Sequence, residues 1–242
     1  MDMKSVLHTI VGAASCATLF VATTANAHYL WIESGDTGAK LYYGEPDVLL
    51  KEKSPGKLDN IKAPLAFVPD VVNGKATAIG ISRSPEYFII ASGKTAPIVL
   101  ASEESLEVRD LTKHGLGFAK SNYYARHGQA DARNSPLALD LQSRGPNTYT
   151  VLYRGQPLQN AKLEVIAPNT WMQEHTTDAQ GTVQINAPWR GQYVVHVLHI
   201  DKTPGEFDGK KYDSLRNHFT YTFVKAEGAD PGPAAPPKHP ME

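Results

Sequence analysis

Eleven short runs rich in β-branched and aromatic residues, each bounded by turn formers, set the strongest limit on what this chain can fold into. They fall at 29–32, 40–43, 65–68, 87–91, 97–101, 137–141, 148–153, 162–166, 182–185, 193–198 and 219–224. Runs this short suit strands, and Gly, Pro, Asn and Asp between them supply the turns. The pattern predicts an all-β protein made of two consecutive β-sandwich modules. Asn73-Gly74 is the strongest hairpin signal. Residues 103–111 mix helical and strand character and are expected to form a short helix.

Residues 1–27 stand apart from that pattern. Lys4 precedes an apolar stretch that ends on Ala25-Asn26-Ala27, small residues where a signal peptidase needs them. A membrane anchor needs about 20 apolar residues, and His8 and Thr23-Thr24 leave this segment short. A lipoprotein cut before Cys16 would meet Ala13 where a larger aliphatic is expected. Cleavage after Ala27 is therefore expected, with a periplasmic or secreted product. It removes Cys16, the only cysteine, so stability must come from buried area rather than disulfides. The balance of 24 basic and 25 acidic residues argues against nucleic acid or an anionic membrane as partner. Nothing after Ala27 reads as a membrane span.

Ser143-Arg144-Gly145-Pro146-Asn147 interrupts the strand pattern and is the expected domain boundary, with modules at 28–142 and 146–225. From 226 to 242 the chain becomes rich in Pro, Gly and Ala. Proline lacks the ladder donor, so this tail is expected to be disordered.

The second module carries three turns in order: Gly155-Gln156-Pro157-Leu158-Gln159-Asn160-Ala161, Thr177-Asp178-Ala179-Gln180-Gly181 and Gly191-Gln192-Tyr193. On these, residues 148–200 resemble the prealbumin-like (Ig-like) β-sandwich of carboxypeptidase regulatory domains, which implies a structural spacer. A wider resemblance runs from His28 to about Val224. It rests on Ala27-His28-Tyr29-Leu30-Trp31-Ile32-Glu33, Leu41-Tyr42-Tyr43-Gly44-Glu45, Tyr124-Ala125-Arg126, His199-Ile200, Tyr212-Asp213-Ser214 and Tyr221-Thr222-Phe223. With these the chain is similar to an uncharacterised family of secreted bacterial proteins associated with nickel uptake. His218 departs from it, standing near where that family often has Trp. The resemblance implies metal handling beside an envelope transporter.

One feature of the residues points the same way without any family. A cut after Ala27 makes His28 the first residue, whose free amine and imidazole Nδ1 can chelate a metal together. A third nitrogen from another imidazole would complete a histidine brace, and such nitrogen sets suit Cu(II) and Ni(II). His114, His127, His175 and His239 read as loop or tail residues. His196 and His199 share one strand and point to opposite faces. His199, at the strand end, is the expected partner of His28; His196 and His218 are further candidates.

No Gly-x-Ser-x-Gly, His-Glu-x-x-His, phosphate loop or dinucleotide fingerprint occurs, and no pair of carboxylates is singled out. Trp31, Trp171 and Trp189 read as core or edge packing rather than a sugar-stacking face. Three functions follow: a periplasmic Cu(II)- or Ni(II)-binding protein serving uptake, delivery or buffering; a copper-dependent oxidative enzyme using a histidine brace; and a non-catalytic envelope scaffold or adhesion protein.

Overall fold

The computed structural model describes residues 28–36, 38–70, 75–93, 96–133 and 135–234. Residues 1–27, read above as a signal, the expected Asn73-Gly74 hairpin turn and the last eight residues lie outside them. Among the described residues, twenty strands follow one another. The first seven are β1 (Tyr29–Gly35), β2 (Gly38–Glu45), β3 (Leu50–Lys51), β4 (Leu65–Asp70), β5 (Lys75–Ile79), β6 (Ile81–Arg83) and β7 (Phe88–Ile90). Next come β8 (Ile98–Glu103), β9 (Arg109–Asp110), β10 (Phe118–Gly128), β11 (Leu139–Gly145), β12 (Thr148–Tyr153), β13 (Gln156–Pro157) and β14 (Lys162–Ile166). The last are β15 (Met172–Thr176), β16 (Thr182–Gln184), β17 (Gly191–Asp201), β18 (Gly205–Phe207), β19 (Lys210–Tyr212) and β20 (Ser214–Lys225). Helical structure among the described residues is limited to three 3₁₀ turns, so the all-β sandwich class holds.

A nine-stranded central sheet runs β15-β14-β17-β20-β10-β8-β4-β5, with β9 added beside β10. Its middle pair, β10 and β20, is parallel, and its other pairs are antiparallel. A cover sheet of β11, β12, β13 and β16 packs on one face. Strand alternation fixes which side chains meet there: Leu163, Val165, Tyr193, Val195, Val197, Phe219 and Tyr221 form one apolar core with Leu139, Leu141, Tyr149 and Val151.

The other face meets the first sheet, β1-β2-β7-β6 with β3 on β2. β1 is an edge strand here, and its backbone rim faces the central sheet: Thr220 Oγ1 donates to Leu30 O at 2.7 Å. The two faces of this sheet are covered separately. Leu30, Ile32, Leu41 and Tyr43 pack with Val99, Ala101, Tyr123 and Ala125. Tyr29, Trp31 and Tyr42 pack with Ile166 and Val194. An open edge is thus capped by polar side chains instead of another strand, one recognised way of blunting it.

Three expectations change. Residues 103–111 are not helical. The Glu103 carboxylate, wholly buried, accepts from Lys62 N, Ala63 N, Ser105 N and Ser105 Oγ, which pins the chain in an extended path. The 143–147 run is the turn of the β11–β12 hairpin, with Asn147 at φ 53°. Its Gly-Pro-Asn chemistry suits a hairpin as well as a linker, and strands from both sides of it share the central sheet. The first part of the tail is docked: Ala229 exchanges backbone bonds with Pro188 O and Arg190 N, and Arg190 pairs with Asp230. Residues 226–234 escape the rule against proline-rich segments because Ala229 supplies its own donor.

Candidate metal centre

His28 sits immediately before β1, beside the β2–β3 hairpin. The register places Tyr29 opposite Gly44, Leu30 opposite Tyr43, and Glu45 opposite Leu50, while Glu52 N donates to Tyr43 O. Alternation then puts His28, Tyr43, Glu45 and Glu52 on one face. The tight return from β2 to β3 depends on Gly44. At φ 153°, a Cβ there would lie 2.1 Å from Leu50 O.

The imidazole of His28 is gripped between two carboxylates. Nε2 lies 2.6 Å from Glu52 Oε1, and Nδ1 lies 3.2 Å from Glu45 Oε1. Lys57 Nζ approaches the same Glu52 oxygen at 3.3 Å and Nε2 at 3.4 Å. Each ring nitrogen thus faces a carboxylate oxygen, and the Nε2–Glu52 contact is the shorter of the two. All three side chains are mostly buried, with 12–14% of each exposed. Burial works against the charge on Glu52, but hydrogen bonds from His28 and Lys57 hold its carboxyl below the usual range. The Tyr43 ring backs the imidazole at 5.1 Å.

The other predicted residues lie elsewhere. His199 packs at a tilt against Tyr153 of the cover sheet, ring centroids 4.3 Å apart, while His28 packs on Tyr43 of the first sheet. The central sheet stands between them, so His28 and His199 do not meet. His196 and His199 do occupy opposite strand faces as expected, although both line a cleft of about 560 Å³ with Glu164 and Arg216. His196 Nδ1 is 3.0 Å from Glu164 Oε2, which also accepts from Tyr29 OH. His218 lies beside it, with ring centroids 5.7 Å apart. Burial holds both imidazoles below their ordinary pKa, His218 far below. These two are brought together, but to each other and to Tyr29 rather than to His28.

Among the described residues, no three His, Cys, Asp or Glu side chains are already at metal-ligand spacing. Sequence reasoning missed Glu45 and Glu52, which are seven positions apart and become neighbours only through hairpin register. The Tyr43-Gly44-Glu45 step was the available signal.

Comparison with known proteins bears on the middle of the chain. Residues 138–201 match the family described as Domain of unknown function (DUF4198). The match takes in β11 to β17, with Glu164, His196 and His199, and does not reach His28 or His218. Searches of curated proteins and of solved structures returned no significant match. No helix among the described residues is long and apolar enough to cross a membrane.

Proposed function

We propose that this is an exported metal-binding protein whose site is built on His28 as the first residue of the mature chain. The observation that carries the reading is the two-carboxylate grip on the imidazole. Glu52 on Nε2 plays the part of the carboxylate that orients a ligating histidine and raises its basicity. Nδ1 is thereby left as the lone pair, and it is the nitrogen that can close a chelate with the free α-amine of the same residue. Glu45 Oε1, 3.2 Å from Nδ1, stands at a spacing suited to a third donor. The amine is a main-chain group, so this set need not appear among clusters of side chains.

Two nitrogens and a carboxylate oxygen suit Cu(II) first and Ni(II) second. His196, His199 and His218 take no part in the site. The carboxylates of Glu45 and Glu52 outnumber the single ammonium of Lys57 around the ring, which favours a cation. Delivery to an envelope transporter, or buffering of the ion in the periplasm, accords with a shallow site near the surface.

Calorimetric titration with Cu(II) and Ni(II) tests this on protein cut before His28. A form retaining Ala27 loses the amine and should lose most of the affinity. Glu52→Gln should weaken binding by about 10–100-fold, as orienting partners do. The amine, with a reference pKa of about 7.7–8, must be deprotonated to bind, so affinity falls from pH 8 downward. Equal affinity with Ala27 retained would overturn the proposal.

A further inference from the structure

The first sheet shares no hydrogen-bonded ladder with the central sheet among the described residues. β1 is held there by the apolar packing of Leu30 and Ile32 on Val99, Ala101 and Ala125, and by a set of polar and ring contacts. Thr220 donates to Leu30 O, the Tyr29 ring lies 4.2 Å from His196, and Tyr29 OH donates to Glu164. His218 stands in the middle of this seam. Its ring stacks on Tyr123 at 4.8 Å and 14°, and faces His196 at 5.7 Å and 20°. It is 6% exposed, and its Nδ1 is buried with no partner.

We propose that His218 is an acid-sensitive latch: its protonation releases β1, and the first sheet with it, from a central sheet that stays folded. The inference does not depend on metal binding at His28.

The groups facing His218 explain why a proton there is disruptive. Tyr123 comes from β10, His196 from β17 and Arg216 from its own strand. The acid of this cluster, Glu164 of β14, is already engaged by His196 and Tyr29. A cation on His218 would therefore meet a neighbouring imidazole and a guanidinium, with no carboxylate to receive it. Burial, then these two neighbours, push its pKa well below the ordinary value. The sign follows: the unfolded ring binds its proton first, so stability is complete above about pH 6.5 and is lost as pH falls below it. Opening the seam also exposes Leu30 and Ile32, and a proton on His218 lowers the cost of that local opening. Burial also shifts His127 and His196 downward, opposed in His127 by a bond to the Ile32 backbone of β1 and by Glu33 and in His196 by Glu164, so variants must isolate His218.

Hydrogen exchange, corrected for intrinsic rates, reads the opening directly. Amides of Leu30 and Ile32 should lose protection by up to about tenfold per pH unit below pH 6.5, the slope of one proton. Amides of Val195 and Val197 should hold theirs. His218→Phe keeps a ring against Tyr123 without a titrating nitrogen, and should flatten the profile. His218→Gln serves where Phe overpacks the site. A flat wild-type profile would overturn the latch, as would a slope that survives in either variant. Titration of the wild-type His218 ring, followed by NMR, gives a reading that needs no substitution; a midpoint at or above 6.5 sinks the idea.

Discussion

On one face of the central sheet, Leu139, Leu141 and Val151 of the cover sheet interlock with Leu163, Val165, Val197 and Phe219. On the other face, His196, His218, Thr220 and Thr222 point at the rim of β1, and a single hydroxyl reaches its backbone through Leu30 O. The first interface is apolar and non-directional, so it resists small changes of charge. The second adds hydrogen bonds and buried histidines to the apolar packing of Leu30, Ile32 and Tyr43 on Val99, Ala101 and Tyr123. Candidate chemistry falls on the second side, where His28 rides on β1. A strand seated partly by polar contacts can respond to protons or ligands in a way a wholly apolar core cannot.

The cover-sheet face holds a buried ion pair, and removing half of it should give the largest effect. Arg126 of β10 is wholly buried and donates through Nε to Asp140 Oδ1 of β11 at 2.6 Å. Asp140→Ala would strand the guanidinium and should cost about 3–5 kcal/mol in urea unfolding. A loss under about 1 kcal/mol would mean that this face is not locked by the pair, and the contrast between faces would fail.

Asp201 sharpens the same contrast through pH. Thr203 bonds it, burial opposes its charge, and Tyr153 OH and Arg154 add to its stabilisation, together holding its carboxyl at about 2. Its folded pKa is depressed, so its contribution is present above the ordinary value near 4 and disappears as pH falls through about 2. Asp201→Asn should therefore lower stability by about 1–2 kcal/mol at pH 7 and by almost nothing at pH 2. Acid sensitivity on this face lies well below the window expected for His218. Overlapping windows in thermal melts of the two variants would erase the distinction.

Much of the scaffold was legible in the sequence, and the misses have physical causes. β14 was expected at 162–166 and spans Lys162–Ile166, because its runs and turns follow simple alternation. β10 went unread although it lies at the centre of the sheet. Lys120, Asn122 and Arg126 are buried in it, against every hydrophobic pattern, and each is rescued by a distant partner: Glu104 O, Asn217 and Asp140. The opposite faces of His196 and His199 followed from strand period alone. Glu45 and Glu52 around His28 did not, since only the Gly44 turn and the β2–β3 register bring them together.

The smallest expected effects come from two threonines on one strand, and they test the rim of β1 most closely. Thr220 and Thr222 sit two positions apart on β20, both buried, both on the face toward the first sheet. Thr220 Oγ1 donates to Leu30 O at 2.7 Å, whereas Thr222 Oγ1 is buried with no partner. Valine has nearly the same shape, so each substitution removes a hydroxyl and little else. Thr220→Val leaves the Leu30 carbonyl without its donor and should cost about 1–2 kcal/mol, because an unsatisfied buried acceptor bears its desolvation. Thr222→Val removes a group that already lacks a partner and should be neutral or slightly stabilising. Urea midpoints of the two variants, compared with wild type, give the difference with the solvent, strand and face held constant. Equal losses would mean that packing rather than the Thr220 bond seats β1, and the two faces of the central sheet would then be held in the same way.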